Sequence, residues 1–320
     1  MASENVKAHK NFNAYLPGLV IRHSSLVAAF LMLGTLLCGL LAWAAKDDRG
    51  GEDLRAASLR PMLVIAHRGG AALWPENTLY AFEHARDLGV DVLEMDVQVT
   101  SDGVLVVLHD AALDRTTNGS GPVNKLSLNE LKKLDAAFRF SPDGGRSFPL
   151  RGRGINVPTL QEVFRALPGM RFNIEPKQAQ PSLVKPLCRM IRESGLQKQV
   201  MIGSFSAQVL AEFREECPEV ATSASPIEVG ALLTASAAGA NEQQRALAAK
   251  AVQVPESIGG RSVLTREFIE AAHARNLQVH AWTINDEESM TRLIELGVDG
   301  IMTDYPNRLI ALLKAKPQGR

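Results

Sequence analysis

The chain has 320 residues, room for one large domain or two ordinary ones, and 46% of them are apolar, enough for a sizeable core. Its 35 basic residues balance 35 acidic ones, so no basic patch or high pI marks a nucleic-acid binder. Cys38, Cys188 and Cys217 are too few and too scattered for a disulfide framework or a Cys-based zinc site. Cys188 and Cys217 could close one bridge in an oxidising compartment; two unrelated buried thiols are the preferred reading.

Residues 1–23 form a leader. From Ser24 to Ala45 no residue is charged, and the core reads "LVAAFLMLGTLLCGLLAWAA". About 20 helical residues cover a hydrocarbon core of ~30 Å, so one N-terminal transmembrane helix is expected over residues 24–45. A secretory signal peptide competes, because Ala42-Trp43-Ala44 resembles a small-x-small cleavage site. Signal h-regions usually span roughly 7–15 residues, and the longer run favours an uncleaved anchor. Lys7, Lys10 and Arg22 precede it, and Lys46, Arg49 and Arg55 follow it. These nearly matched flanks lean towards an N-in topology, with the rest of the chain extracytoplasmic, either periplasmic or extracellular. Cleavage would make it secreted. Residues 46–60, with Gly50-Gly51, read as a tether.

After the tether, short apolar runs alternate with amphipathic segments. Strands are expected at Leu63–Ala66, Val92–Val97, Arg171–Glu175, Val200–Ser204, Val220–Ser223, Ala251–Val254, Gln278–Thr283 and Gly300–Thr303. Helical patterns lie at Thr78–Leu88, Pro181–Ser194, Ser206–Cys217, Ile227–Ala235, Thr265–Arg275, Glu287–Leu296 and Asn307–Lys314. This alternation predicts an α/β fold of parallel βαβ units, and the strand number favours a (β/α)8 barrel over an open sheet. The alternation breaks once. Val104–Leu108 reads as the second arm of a hairpin, and residues 110–158 as a small insertion on an early βα loop, with a short helix near Leu126–Leu134. In a barrel such loops build the catalytic face.

Polar residues gather at the predicted strand ends. His67 and Arg68 end the first, Glu94 and Asp96 lie on the second, and His109 and Asp110 follow "VLVVL". Glu175 and Lys177 end the third, and Trp282 and Asp304 close the last two. Residues two apart on a strand share one side, so Glu94 pairs with Asp96 and Glu175 with Lys177. Ionisable groups inside a barrel are costly unless paired or bound to a metal. Glu94, Asp96 and Glu175 make an oxygen-rich set suited to one divalent cation, Ca2+ or Mg2+; salt bridges to Arg68 and Lys177 are the alternative. Two histidines suit acid–base work, and the two cations suit an anionic phosphate. Together they describe metal-assisted phosphoryl transfer.

The ordered motifs "AHRGG", "PENTLYAFEHARDLGVDVLEMDVQVTSDGVLVVLHD", "LDRTTNGSG", "VPTLQEVF", "NIEPK", "HAWTIND" and "GVDGIMTDYP" resemble the glycerophosphodiester phosphodiesterase family. The resemblance implies a TIM barrel over residues 61–316 that uses a divalent metal to hydrolyse glycerophosphodiesters to glycerol 3-phosphate and an alcohol. It implies His67 and His109 as the acid–base pair and Glu94, Asp96 and Glu175 as metal ligands. Arg68 and Lys177 would bind substrate, and Glu76 and Asn77 of the "PENT" motif would support the site. Trp282 is expected to wall the pocket, and Asp304 reads as a turn and barrel-closure residue. His84, His273 and His280 read as surface histidines without a role. The anchor suggests a lysophospholipid substrate as an alternative. A non-catalytic phosphodiester-binding membrane protein is the reading from another class.

Overall fold

The computed structural model describes residues 62–237 and 247–315. The leader, the apolar run at 24–45 and the tether lie outside the described residues. Among the described residues no helix is long and apolar enough to cross a membrane. In chain order the first strands are β1 (Leu63–Ala66), β2 (Val92–Val99), β3 (Leu105–Val107), β4 (Arg171–Pro176), β5 (Val200–Ile202) and β6 (Ala221–Thr222). They are followed by β7 (Ala251–Pro255), β8 (Ser257–Ile258), β9 (Arg261–Ser262), β10 (Gln278–Trp282) and β11 (Gly300–Thr303). Eight of these pair in parallel in the order β6-β5-β4-β2-β1-β11-β10-β7. A parallel bridge from Ser223 to Ala251 joins β6 to β7. The sheet is the nearly closed parallel barrel expected of a TIM fold, with β3 as an antiparallel hairpin arm on β2.

The alternation of side chains along each strand explains what sits where. On β2, Leu93, Met95, Val97 and Val99 belong to the main apolar core under the helices. The intervening Glu94, Asp96 and Gln98 are buried too, and they point into the barrel. Ile65, Val92 and Met302 fill the barrel interior, with Leu63 and Trp282 packed on them. Apolar residues outside and a mixture of polar and apolar residues inside leave the barrel strands almost wholly covered, as a two-faced buried sheet requires.

The helices are α1 (Leu79–Leu88), α2 (Leu128–Leu131), α3 (Leu160–Ala166), α4 (Val184–Glu193), α5 (Ala207–Glu216), α6 (Pro226–Ala237), α7 (Arg266–His273), α8 (Glu287–Leu296) and α9 (Pro306–Ala315). Side-chain caps start several of them: Thr78, Ser206, Thr265 and Asp286 each accept a hydrogen bond from a backbone N–H in the first turn. The sequence reading did not foresee α3. It begins with a capping box in which Thr159 and Glu162 satisfy each other's backbone N–H groups, and it buries Leu160, Val163 and Phe164. The insertion between β3 and α3 has its own apolar centre, which includes Leu108, Leu113, Val123, Leu131 and Val157.

Two expectations need correction. Cys188 and Cys217 are joined as a disulfide, tying α4 to the residue that ends α5; they are not unrelated thiols. The packing of α4 beside α5 brings together cysteines that the sequence separates. His280 is buried, not at the surface. It lies inside the barrel, where Gln253 Nε2 bridges its Nδ1 (3.4 Å) and Asn173 Oδ1 (2.9 Å). Burial pulls its pKa down to about 4, so it is neutral. His84 is exposed on α1, and His273 is half-buried beside Asp299.

Candidate active site

The site starts where β1 ends. His67, Arg68 and Gly69 form a tight turn, with Arg68 at φ 50° and Gly69 at φ 83°. A Cβ on Gly69 would lie 2.9 Å from Ala81 Cβ and from Phe82 Cδ1, so only glycine lets the turn press onto α1. The backbone N–H of Asn77, itself at φ 57°, donates to Arg68 O at 2.9 Å and locks the "PENT" turn onto it. The Asn77 side chain donates to Asp96 Oδ2 (2.9 Å) and accepts from the Asp96 N–H (3.3 Å). Thr78 Oγ1 donates to Pro75 O and accepts from Ala81 N–H, a purely structural employment.

The three carboxylates converge as expected. Asp96 and Glu175 are register partners across β2 and β4, and oxygens of Glu94, Asp96 and Glu175 lie within 4.8 Å of one another. Glu94 and Asp96 are only 3% and 2% exposed. Burial, reinforced by the charge of Asp96, pushes Glu94 up to about 8. Burial also raises Glu175, against the opposing charge of Lys177. Lys177 Nζ lies 3.2 Å from Glu175 Oε1 and 3.5 Å from Asp96 Oδ1. Arg68 donates its backbone N–H to Glu94 (2.8 Å) and its Nη1 to Glu76 (3.0 Å). Its Nε stands 3.3 Å from Asp96 Oδ2 outside hydrogen-bond geometry, and is a buried donor without a partner. The salt bridges weighed from sequence therefore form at Asp96, while among the described residues none reaches Glu94. A buried all-oxygen set, in which burial disfavours the charged forms of Glu94 and Glu175, fits a hard divalent cation.

Both histidines are oriented by carboxylates through Nδ1. His67 Nδ1 lies 2.7 Å from Asp304 Oδ1, and Asp304 Oδ2 accepts from Asn285 at 2.7 Å. Burial works to lower the His67 pKa, but the Asp304 hydrogen bond and the charges of Glu94 and Asp304 raise it overall. His109 Nδ1 lies 2.5 Å from Asp110 Oδ1. Burial opposes ionisation of Asp110, and its bonds to Arg115 and His109 overcome this, bringing it to about 2. Arg115 links Asp110 (2.6 Å) to Glu76 (2.6 and 2.7 Å). Glu76 thus joins the Arg68 and His109 arms of the site. With Nδ1 engaged, Nε2 is the ring nitrogen each histidine has for chemistry.

His67, Arg68, His109, Glu175 and Lys177 line one end of a cavity of about 590 Å³. Across residues 67–308 the sequence matches the profile of the glycerophosphoryl diester phosphodiesterase family. The chain belongs to that family. This makes it an enzyme, a phosphoric diester hydrolase. It is 36% identical over 257 residues to a glycerophosphodiester phosphodiesterase of Caldanaerobacter subterraneus subsp. tengcongensis, covering 79% of this chain and 98% of that one. It is 29% identical over 269 residues to the lysophospholipase D GDPD1 of Mus musculus, covering 77% and 84%. Its barrel resembles an Oleispira antarctica phosphodiesterase solved in complex with the product sn-glycerol-3-phosphate, with TM-score 0.63, 27% identity, and 81% and 98% coverage.

Every residue singled out from sequence in this phosphodiesterase reaches the site. His67, Arg68, Glu94, Asp96, His109, Glu175, Lys177 and Trp282 line the cavity, and Glu76 and Asn77 stand directly behind it. Asp304 needs correction: it holds His67 and is not merely a turn residue. Asp110, Arg115 and Asn285 complete the two orienting chains. Beyond the charged cluster, much of the cavity lining is apolar, with Phe205, Val229, Leu233, Pro255, Ile258 and Trp282.

Proposed function

We propose that the chain hydrolyses glycerophosphodiesters to glycerol 3-phosphate and an alcohol, with His67 and His109 as the acid–base pair. The observation that carries this reading is the pairing of two carboxylate-held histidines at the edge of one cavity with three clustered acids. Glu94, Asp96 and Glu175 would hold one divalent cation, Ca2+ or Mg2+, which when bound supplies positive charge against the phosphodiester oxygens. Arg68 and Lys177 donate to the same oxygens and fix the phosphorus in place. One histidine takes a proton from the attacking hydroxyl, and the other protonates the departing ester oxygen as its bond to phosphorus breaks. With water as the attacking group, the products are glycerol 3-phosphate and the alcohol. With a neighbouring substrate hydroxyl, a cyclic phosphate forms first and water opens it. Trp282 walls the pocket.

The test is glycerol 3-phosphate release from glycerophosphocholine and glycerophosphoethanolamine by the full chain, with Ca2+, Mg2+ or chelator. Release with either metal that stops with chelator is expected. No release under any metal from folded protein would overturn the reading.

The apolar lining of the cavity favours a second reading, lysophospholipase D action, in which it takes the acyl chain of a lysophospholipid. Release of lysophosphatidate from lysophosphatidylcholine at a higher kcat/KM than glycerophosphocholine cleavage would support it. We also place the barrel outside the cytoplasm, behind an N-in anchor at residues 24–45. The Cys188–Cys217 disulfide supports that placement, since such bonds persist in oxidising compartments.

A further inference from the structure

Among the described residues, the exposed large apolar side chains are Phe205 at 64%, Ile227 at 73% and Ile258 at 54%. All three come from loops at the catalytic end of the barrel. Phe205 follows β5, Ile227 opens α6 after β6, and Ile258 lies in the β8–β9 hairpin after β7. They therefore come from three successive βα loops and form an arc along one side of the barrel's catalytic end. Phe205 and Ile258 line the cavity and Ile227 follows the lining residue Pro226. Phe205 stands edge-on to Trp282, with ring centroids 5.6 Å apart. A soluble substrate inside the cavity would not cover Ile227, which does not line it. Contiguous exposed apolar surface marks an interaction site more often than chance.

The other side of the same end is basic. Between residues 139 and 153 the insertion carries Arg139, Arg146, Arg151 and Arg153, all exposed, against a single acid, Asp143. The Asp143 carboxylate is occupied within its own turn by Ser141, Ser147 and the Arg146 and Ser147 N–H groups. Arg151 is held over the rings of Phe138 and Phe148, 4.2 and 4.0 Å from their centroids. The catalytic end thus combines an apolar rim with a cationic loop, a pairing suited to acyl chains below and anionic headgroups above.

We infer that the rim of Phe205, Ile227 and Ile258 dips into a lipid surface whose anionic headgroups meet the arginines of the insertion, so that the cavity opens onto the membrane. The inference concerns which face meets lipid and does not require the phosphodiesterase reading of the site.

The test uses the full chain in a Cys38→Ser background, reconstituted into vesicles of phosphatidylcholine with or without phosphatidylglycerol. A polarity-sensitive fluorophore is attached at Ile227→Cys. A second protein carries it at Lys198→Cys, an exposed position in the loop entering β5, at the opposite end of the barrel. Comparing the two sites cancels any protein enclosed in the vesicle lumen. Expected is a blue shift at 227, with several-fold protection from iodide relative to 198. Reversing Arg146 and Arg153 to Glu should abolish that protection in anionic vesicles, bringing quenching at 227 to the level at 198, since each basic charge is worth about fivefold in association with an anionic surface. Equal quenching at 227 and 198 would overturn the inference. Protection at 227 that appears only after soluble glycerophosphocholine is added to the vesicles would overturn it too, showing a rim that closes only on substrate. Protection indifferent to the arginine reversals would overturn its electrostatic half. Glycerophosphocholine turnover by the same proteins keeps failure of the phosphodiesterase reading separate.

Discussion

His67 and His109 meet the same demand with different neighbours. Each has a carboxylate on Nδ1, but Asp304 comes from the far end of the chain and Asp110 is adjacent in sequence. Replacing either histidine by alanine should lower turnover about 10²–10⁴-fold without unfolding the barrel. Asp304→Asn should lower kcat more than it changes KM. It should also move the His67 limb of the pH–rate profile to lower pH, because the carboxylate charge that helps raise that pKa is gone and the remaining hydrogen bond to the amide oxygen is weaker. An unmoved profile would show that Asp304 only braces the turn. The acid cluster gives a second test. Burial holds Glu94 up at about 8 in the fold against 4.5 for an unperturbed glutamate, so across that interval the folded state binds more protons than the unfolded one. Stability from this group therefore falls as pH rises through the interval. A divalent cation that binds the ionised form should raise Tm, and by more near pH 8 than near pH 5. Calorimetry with Ca2+, Mg2+ and chelator checks this, and no metal effect at either pH would count against the ligand set.

At the scale of elements, the barrel strands were legible because each is a short apolar run interrupted only by inward polar residues. Helix α3 was not, since its few residues follow a Gly/Pro/Arg-rich loop; the signal available was the Thr159-to-Glu162 spacing of a capping box. His280 was misread although the pattern was there. In "QVHAW" the period of two places it on the same side as Trp282, which had been given to the pocket. Asp304 was beyond reach, because its partner lies 237 positions away and only barrel closure between β1 and β11 brings them together. The β1–α1 turn supplies the prediction at this scale. Gly69→Ala must place a methyl against Ala81 and Phe82 at a positive φ, and overpacking of this kind costs about 1–3 kcal/mol. Chemical denaturation should show a loss of about 2 kcal/mol or more, with the His67–Asp304 alignment and turnover damaged as well.

For the whole molecule, the disulfide is the feature that sequence distance hid and that packing made plain. Its ends are 29 residues apart, and closing a loop of that size in the unfolded chain is worth about 3–4 kcal/mol. The Cys188→Ala/Cys217→Ala double variant should lose stability of that order in denaturant titrations while retaining turnover, since neither cysteine touches the cavity. Thiol titration of the unfolded wild-type chain should find one reactive group, Cys38, until a reductant is added. Three reactive thiols in protein recovered from its native compartment would argue for a reducing environment and against an extracytoplasmic barrel.

The insertion between β3 and α3 carries its own packed centre and meets the chemistry chiefly through Arg115, which grips Asp110 on one side and Glu76 on the other. That arrangement makes it a cassette. Its outer loop, residues 139–154, can be lengthened, shortened or recharged while the barrel and its acid–base machinery stay intact, provided the one arginine remains. If the insertion meets lipid as inferred above, substrate delivery and bond cleavage are thereby separated within one chain, and each can drift under its own selection.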